Sequence, residues 1–160
     1  MDAALRRGIS TAYYSIFHDL TRHTASHLLG SCPQEIQNEI RRSWSHGEIS
    51  QLAKHVLERA KTLVRTPAAP GPGHVEKLGP LLDVVAEDDA LVDTLRLFNN
   101  LQEQRHSADY DHEVKFVKWH LLEACRNARS ARTRLRDASS AAREALFTLL
   151  TVRRADFRQR

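Results

Sequence analysis

The chain has 160 residues, 41% of them hydrophobic, and this length and composition suit one globular domain with its own core. The formal net charge of +4 favours an anionic partner. No stretch reaches the roughly 20 apolar residues of a membrane span, and no secretory signal is evident. Because the two cysteines also lack a disulfide framework spacing, we expect a cytoplasmic protein with free thiols and no membrane partner.

Hydrophobic periodicity predicts three helices in the first part of the chain. Apolar residues at helical spacing indicate a helix over residues 3–29, a short helix over 33–43 and a third helix over 48–65. Residues 67–80 hold four of the five prolines, so we expect a crossover loop there.

Beyond this loop the same pattern predicts two long helices, over about 88–105 and 112–136. A last helical segment over 139–155 either docks on the others or extends outward. No alternating run of β-branched residues indicates a strand. The predicted fold is all-α: an up-and-down antiparallel helical bundle over 1–137, followed by a C-terminal helical extension with a basic tail over 138–160.

The octapeptide "RHSADYDH" at residues 105–112 is the strongest candidate for a site. A turn within it would let Asp111 cap a new helix and place His112 in the first turn, where the helix dipole favours the neutral imidazole of a general base. Arg105 would offer a planar fork to a phosphate oxygen. Together the pair could cleave RNA through its own 2′-hydroxyl. A polar turn between two helices is the alternative, and spacing alone favours it.

Two sequence blocks carry a resemblance to a known family. "LRRGISTAYYSIFHDL" near the start and "LQEQRHSADYD" about ninety residues later resemble the HEPN superfamily, and in particular its small bacterial members. The two blocks anchor about residues 3–136. The matching positions are Arg7, Ser10, Ala12, Tyr13, Tyr14, Phe17 and His18 in the early block and Arg105, Ala108, Asp109 and Tyr110 in the late block.

The resemblance implies a helical bundle of HEPN type that pairs face to face as a homodimer. In active members an arginine and a histidine, separated by four to six residues, line the dimer cleft and cleave RNA without metal. Arg105 and His112 have six residues between them, whereas Arg41 and His46 have four. We prefer the first pair because it falls where the resemblance implies that the motif lies.

On this resemblance we expect a metal-independent endoribonuclease, as the toxin half of a toxin–antitoxin pair or a related defence component. Tyr110 and Asp109 would position the Arg105/His112 pair, and no cofactor is expected. The alternative is a non-catalytic HEPN module that binds nucleotide, nucleic acid or a protein such as an antitoxin or a nucleotidyltransferase. A simple basic RNA-binding protein is a third hypothesis.

Three more side chains are candidates for the cleft. Tyr14 and His18 are one turn apart on the first helix and share a face, although packing in the core is the alternative. His46 is either a residue at a helix start or a second cleft imidazole. The pair His23 and His27 has usable spacing but no third ligand, so we expect no metal site.

Arginine residues recur along the last long predicted helix, from residue 126 to residue 136. Its exposed face could follow a phosphate backbone and make binding depend on salt, and a solvated face is the alternative. The proposed nucleic-acid-binding residues are Arg126, Arg129, Arg132 and Arg136. Cys32 and Cys125 are predicted to be small buried hydrophobic residues.

Overall fold

The computed structural model describes residues 2–65 and 75–157, with side chains over 2–63 and 78–152. All regular secondary structure in these residues is helical, which confirms the predicted all-α class. The HEPN topology stays a prediction. Within these residues no helix is both long and apolar enough to cross a membrane. The helices are α1 (Asp2–Leu29), α2 (Gln34–Arg42), α3 (His46–Arg65), α4 (Val75–Ala86), α5 (Asp89–Tyr110), α6 (Lys118–Asp137) and α7 (Ser140–Phe157).

Helices α1, α5 and α6 pack on one another. Arg6, near the start of α1, contacts the Asp111 carbonyl just beyond the end of α5. Further along α1, Tyr14 contacts Arg105, which precedes Asp111 on the chain. These two contacts show that α1 and α5 run antiparallel, so the early and late sequence blocks lie side by side.

Helices α1 and α6 instead run parallel. Gly8 faces Leu121 near the start of α6, and Asp19 forms an ion pair with Arg132 near its end. A Cβ atom at Gly8 would lie 2.6 Å from Cδ1 of Leu121. The missing side chain therefore lets the two helices approach closely.

The apolar faces predicted from periodicity form one core. The apolar residues of α1 that recur at helical spacing between Leu5 and Leu20 are all buried, whereas Leu28, which continues the same spacing, is exposed. Tyr13 and Phe98 are fully buried, with ring centroids 5.4 Å apart. Burial of such large apolar side chains is the main favourable contribution to folding.

Helix α7 belongs to this same core. Ala142, Ala145, Leu146, Leu149 and Leu150 are all buried, and α7 packs against α1, α3 and α4. The sequence left open whether this segment docks on the other helices or extends outward. In the structure it docks. The proposed boundary between residues 137 and 138 coincides with the junction of α6 and α7.

The prediction of a loop over residues 67–80 was wrong for its second half, because α4 begins at Val75. Pro80 lies inside this helix and removes one backbone hydrogen bond. Burial of Leu82 and Val85 in the core favours the helix despite that loss. Residues 66–74 lie outside the described part of the chain.

The predicted end of one long helix near residue 105 and the predicted start of the next at residue 112 were also wrong. Helix α5 continues to Tyr110, and α6 begins only at Lys118. Asp111 ends α5, and its carboxylate accepts a hydrogen bond of 3.0 Å from the amide of Glu113, so it stabilises a turn and not a new helix. Val114 and Val117 lie in this segment, and both are exposed. Cys125, predicted to be buried, is exposed as well.

Asp88 caps α5 and ties it to the start of α7. Its carboxylate accepts hydrogen bonds of 3.0 Å from the amides of Leu91 and Ser139. Burial acts to raise the pKa of Asp88, but these amide hydrogen bonds outweigh that effect and lower the pKa.

Candidate functional site

The guanidinium of Arg105 lies at the contact between the two sequence blocks. Its Nε is 2.6 Å from a carboxylate oxygen of Asp109, and its Nη2 donates a 3.2 Å hydrogen bond to the Tyr14 hydroxyl. The guanidinium carbon lies 5.6 Å from the ring centroid of Tyr14 and 5.5 Å from that of Tyr110. Only 18% of the Arg105 side chain is exposed. Arg105 is therefore held by an ion pair and by cation–π contacts on two sides.

The ion pair with Asp109 leaves one donor of Arg105 unused. The Nε–H group is buried and has no hydrogen-bond partner among the described residues, although Nε lies close to the carboxylate. The contact is therefore an ion pair without a hydrogen bond from Nε. Asp109 also accepts a hydrogen bond from the Ser10 hydroxyl, which fixes it against α1.

Tyr110 and His112 are both exposed. The ring of Tyr110 packs at a centroid distance of 5.0 Å on His106, and 61% of the residue is exposed. His112 lies in the segment between α5 and α6, and not in the first turn of a helix. The helix-dipole argument for a neutral His112 imidazole therefore does not apply.

Arg6 holds the segment that carries His112. Its guanidinium donates hydrogen bonds to the carbonyl oxygens of Ala108, Asp111 and Val114, at 3.1, 2.8 and 2.5 Å. It also lies over the Phe116 ring, 5.0 Å from its centroid. Sequence reasoning missed this residue, because the resemblance drew attention to its neighbour Arg7, which is exposed.

Tyr13 and His46 form a hydrogen-bonded pair beside this cluster. The Tyr13 hydroxyl lies 2.7 Å from Nδ1 of His46. Burial raises the pKa of Tyr13, so the hydroxyl keeps its proton, and His46 Nδ1 is the one acceptor for that proton within hydrogen-bond distance among the described residues. Burial, helped by the charges of Arg105 and His18, lowers the pKa of His46. The favoured state is therefore a neutral His46 that accepts at Nδ1 and carries its proton on Nε2.

His46 also lines a pocket between α1, α2 and α3. The pocket measures about 510 Å³, and its polar lining includes Tyr14, His18, Arg41 and Arg42. His18 stacks on Tyr14 at a centroid distance of 5.9 Å, as expected for residues one turn apart. The alternative Arg41/His46 pair thus shares one pocket with Tyr14 and His18, the other two predicted cleft residues. His46 is both a helix-start residue and a pocket imidazole.

The arginines proposed to bind nucleic acid are exposed on α6, but they do not form one site. Arg129 and Arg132 line a groove of about 600 Å³ between α1 and α6, together with Arg7. Arg132 forms an ion pair with Asp19, and this carboxylate partly neutralises the charge of Arg132. The remaining two, Arg126 and Arg136, do not line this groove.

The predicted histidine pair on α1 has a packing role in the structure. His23 and His27 both contact the ring of Phe147, at centroid distances of 6.4 and 5.6 Å. Within residues 2–65 and 75–157 no group of three or more metal-ligating side chains occurs.

Comparisons with protein-family models, with curated proteins and with solved structures each find no match for this chain. The HEPN resemblance therefore depends on the two sequence blocks alone. What the structure adds is that these blocks are in contact, through Tyr14 with Arg105 and Ser10 with Asp109.

Proposed function

We propose that the chain is a metal-independent endoribonuclease of HEPN type that acts as a homodimer. The supporting observation is that five large hydrophobic residues in and next to the segment that carries His112 are exposed. We call this the 110–122 surface; its exposed large hydrophobic residues are Tyr110 (61% exposed), Val114 (36%), Val117 (52%), Trp119 (54%) and Leu122 (63%).

An exposed set of this kind favours association with another surface. Grouped apolar residues on a protein surface are typical of interaction sites, and tryptophan and tyrosine are enriched there. A second copy that covers the 110–122 surface would bring two His112 side chains close to each other. In such a dimer Arg105, whose side chain is 18% exposed, would have to reach the same phosphate as His112.

The chemistry needs no metal. In this proposal His112 of one subunit removes the proton of a ribose 2′-hydroxyl, and that oxygen attacks the adjacent phosphorus. The bond from phosphorus to the 5′-oxygen breaks, and the protonated His112 of the partner subunit donates a proton to the leaving oxygen. The products are a 2′,3′-cyclic phosphate and a 5′-hydroxyl. Arg105 stabilises the negative charge that develops on the phosphoryl oxygens. Such an activity would suit a toxin or a defence component.

A second candidate is the non-catalytic HEPN module that binds nucleotide, nucleic acid, or an antitoxin or nucleotidyltransferase partner. The observation that favours it is the engagement of Arg105 by Asp109, Tyr14 and Tyr110. A guanidinium held in this way has less freedom to move onto a phosphate.

The test is cleavage of labelled RNA by purified protein in the presence of a chelator of divalent metals. We expect His112→Ala and Arg105→Gln to lower the rate by about a hundredfold or more. The matched control is His27→Ala, an exposed histidine on α1, which should cleave like the wild type. Equal cleavage by all variants would remove the assignment, and RNA binding without any cleavage would support the non-catalytic module.

The dimer is tested separately by sedimentation. Trp119→Glu puts a charge into the 110–122 surface at a residue that is 54% exposed, so the fold should persist. We expect this variant to be monomeric and inactive. A wild-type protein that cleaves RNA as a monomer would contradict the shared cleft.

A further inference from the structure

The pocket between α1, α2 and α3 has an excess of positive charge. Eight residues line it and none of them carries a carboxylate, whereas Arg41 and Arg42 both contribute guanidinium groups. Arg42 is paired at 2.8 Å with Glu39, and both of these side chains are largely exposed. Arg41 instead donates a 3.2 Å hydrogen bond to the neutral amide oxygen of Asn38. The charge of Arg41 is therefore not balanced by an acid within hydrogen-bond distance among the described residues.

Arg41 also has an unused buried donor. Its Nε–H group is shielded from solvent and has no hydrogen-bond partner among the described residues. A buried donor without a partner destabilises a protein by about 1–3 kcal/mol, so such groups are usually satisfied. Because solvent does not reach Nε in this conformation, an acceptor from outside can meet it only if the Arg41 side chain moves.

Further donors line the same pocket. The oxygen of Tyr14 already accepts from Arg105, so its own proton is available for another acceptor. Nε2 of His46 carries a proton because Nδ1 accepts from Tyr13. His18 is exposed at the rim, where it stacks on Tyr14. The pocket thus combines the uncompensated charge of Arg41 with the neutral donors of Tyr14 and His46.

We infer that this pocket binds a phosphomonoester group, carried either by a small molecule or by the end of an RNA chain. Such a group has three acceptor oxygens and a charge of about −1.5 to −2 at neutral pH, which matches the fork of Arg41 and its neighbouring donors. The volume of about 510 Å³ lies within the usual range for small-molecule sites. A carboxylate offers only two oxygens and a single charge.

This inference does not depend on the ribonuclease proposal. Neither Arg105 nor His112 lines the pocket. Phosphate binding can therefore be present in a protein that cleaves nothing, and cleavage can be present without it.

The first experiment titrates the full chain with inorganic phosphate while the imidazole signals of His18 and His46 are followed by NMR. We expect saturable shifts, and Arg41→Gln should weaken binding by about tenfold or more, which is the loss expected for a charge-assisted hydrogen bond. The matched control is Arg96→Gln, which removes an exposed arginine paired with Asp93 on α5 and should bind like the wild type.

Three results would overturn the inference. They are the absence of saturable shifts, equal binding by Arg41→Gln and Arg96→Gln, and equal binding of acetate and phosphate. If Arg41→Gln does not fold by circular dichroism, His18→Ala replaces it, because His18 is exposed and its loss should leave the core intact. This variant must also bind phosphate more weakly, or the inference fails.

A second experiment identifies the source of the phosphate. It compares inorganic phosphate with 2′-O-methyl RNA trimers, which resist cleavage, carrying either a 5′-phosphate or a 5′-hydroxyl. Tighter binding of the phosphorylated trimer than of inorganic phosphate supports an RNA end, and equal binding of the two supports a small phosphate. A 5′-hydroxyl trimer that binds as well as the phosphorylated one would overturn the inference, because the site would then recognise the chain and not its terminal phosphate.

Discussion

The hydroxyl of Tyr13 lies 2.7 Å from Nδ1 of His46, and this hydrogen bond joins the middle of α1 to the first residue of α3. Tyr13 is fully buried, whereas His46 is partly exposed to the pocket between α1, α2 and α3. The buried Tyr13 keeps its proton, and its hydrogen bond to Nδ1 therefore favours the neutral form of the His46 imidazole in the pocket.

The lowered pKa of His46, caused by burial and by the charges of Arg105 and His18, predicts a pH dependence of stability. The pKa of His46 is lowered in the folded state, so the unfolded chain binds its proton more readily. Its contribution to stability is complete above the ordinary histidine pKa of about 6.5 and is lost as the pH falls below that value. His46→Gln should flatten part of this dependence in denaturant titrations from pH 7.5 to 5.5. His23, whose pKa is lowered by burial and by Arg22, should supply the part that remains.

The Tyr13→Phe variant tests the same bond from its other end. Loss of the hydroxyl should raise the pKa of His46 as measured by NMR, although burial, Arg105 and His18 still hold it below the ordinary value. The free energy of unfolding should fall by about 1–2 kcal/mol, because a buried acceptor loses its donor. Tyr110→Phe is the control, since this ring is 61% exposed and its change should be within about 0.5 kcal/mol. An unchanged His46 pKa in Tyr13→Phe would contradict the assignment.

Arg6 should be more important than Arg7 for the segment that carries His112. Arg6→Ala removes several hydrogen bonds to the carbonyls of and around this segment, so we expect a loss of about 1–3 kcal/mol in the free energy of unfolding. The amides of residues 112–117 should also exchange faster with solvent. The neighbouring Arg7→Ala, at an exposed position, should leave both quantities close to wild type. Similar effects in the two variants would show that Arg6 does not anchor the segment.

Asp88 should stabilise the protein above about pH 4 and less so in acid. Its pKa is lowered in the folded state, so the unfolded chain takes up the proton first and the contribution is lost as the pH falls through the folded pKa. Asp88→Ala should lower the free energy of unfolding by about 1–2 kcal/mol at neutral pH, because it removes a helix cap. The adjacent and exposed Asp89→Asn is the control, with a change of a few tenths. Equal losses in urea titrations of the two variants would contradict this role.

The sequence predicted the helices well and their ends less well. The first and third helices were predictable because their apolar residues repeat with the period of a helix. The segments 75–80 and 112–117 were each assigned to the wrong state. In the first, burial of the neighbouring Leu82 and Val85 favours a helix that contains a proline. In the second, Arg6 satisfies carbonyls that a helix would otherwise have paired.

The candidate site was predicted in part. Tyr14, His18 and His46 were named as cleft residues, and they line one pocket. Arg41 was identified as a motif alternative, but its place beside these three followed only from how α2 packs on α1. Spacing along one helix explains why Tyr14 and His18 stack, and it says nothing about a residue on another helix.

By itself the sequence determined that the described chain is helical and which faces of the helices are buried, because both follow from a local repeat of apolar residues. Only the tertiary structure decided which polar groups meet. The pairs Tyr13–His46, Tyr14–Arg105 and Arg6–Asp111 join residues 33, 91 and 105 positions apart. Contacts over such separations depend on the register and direction of whole helices, and packing of the complete core fixes these.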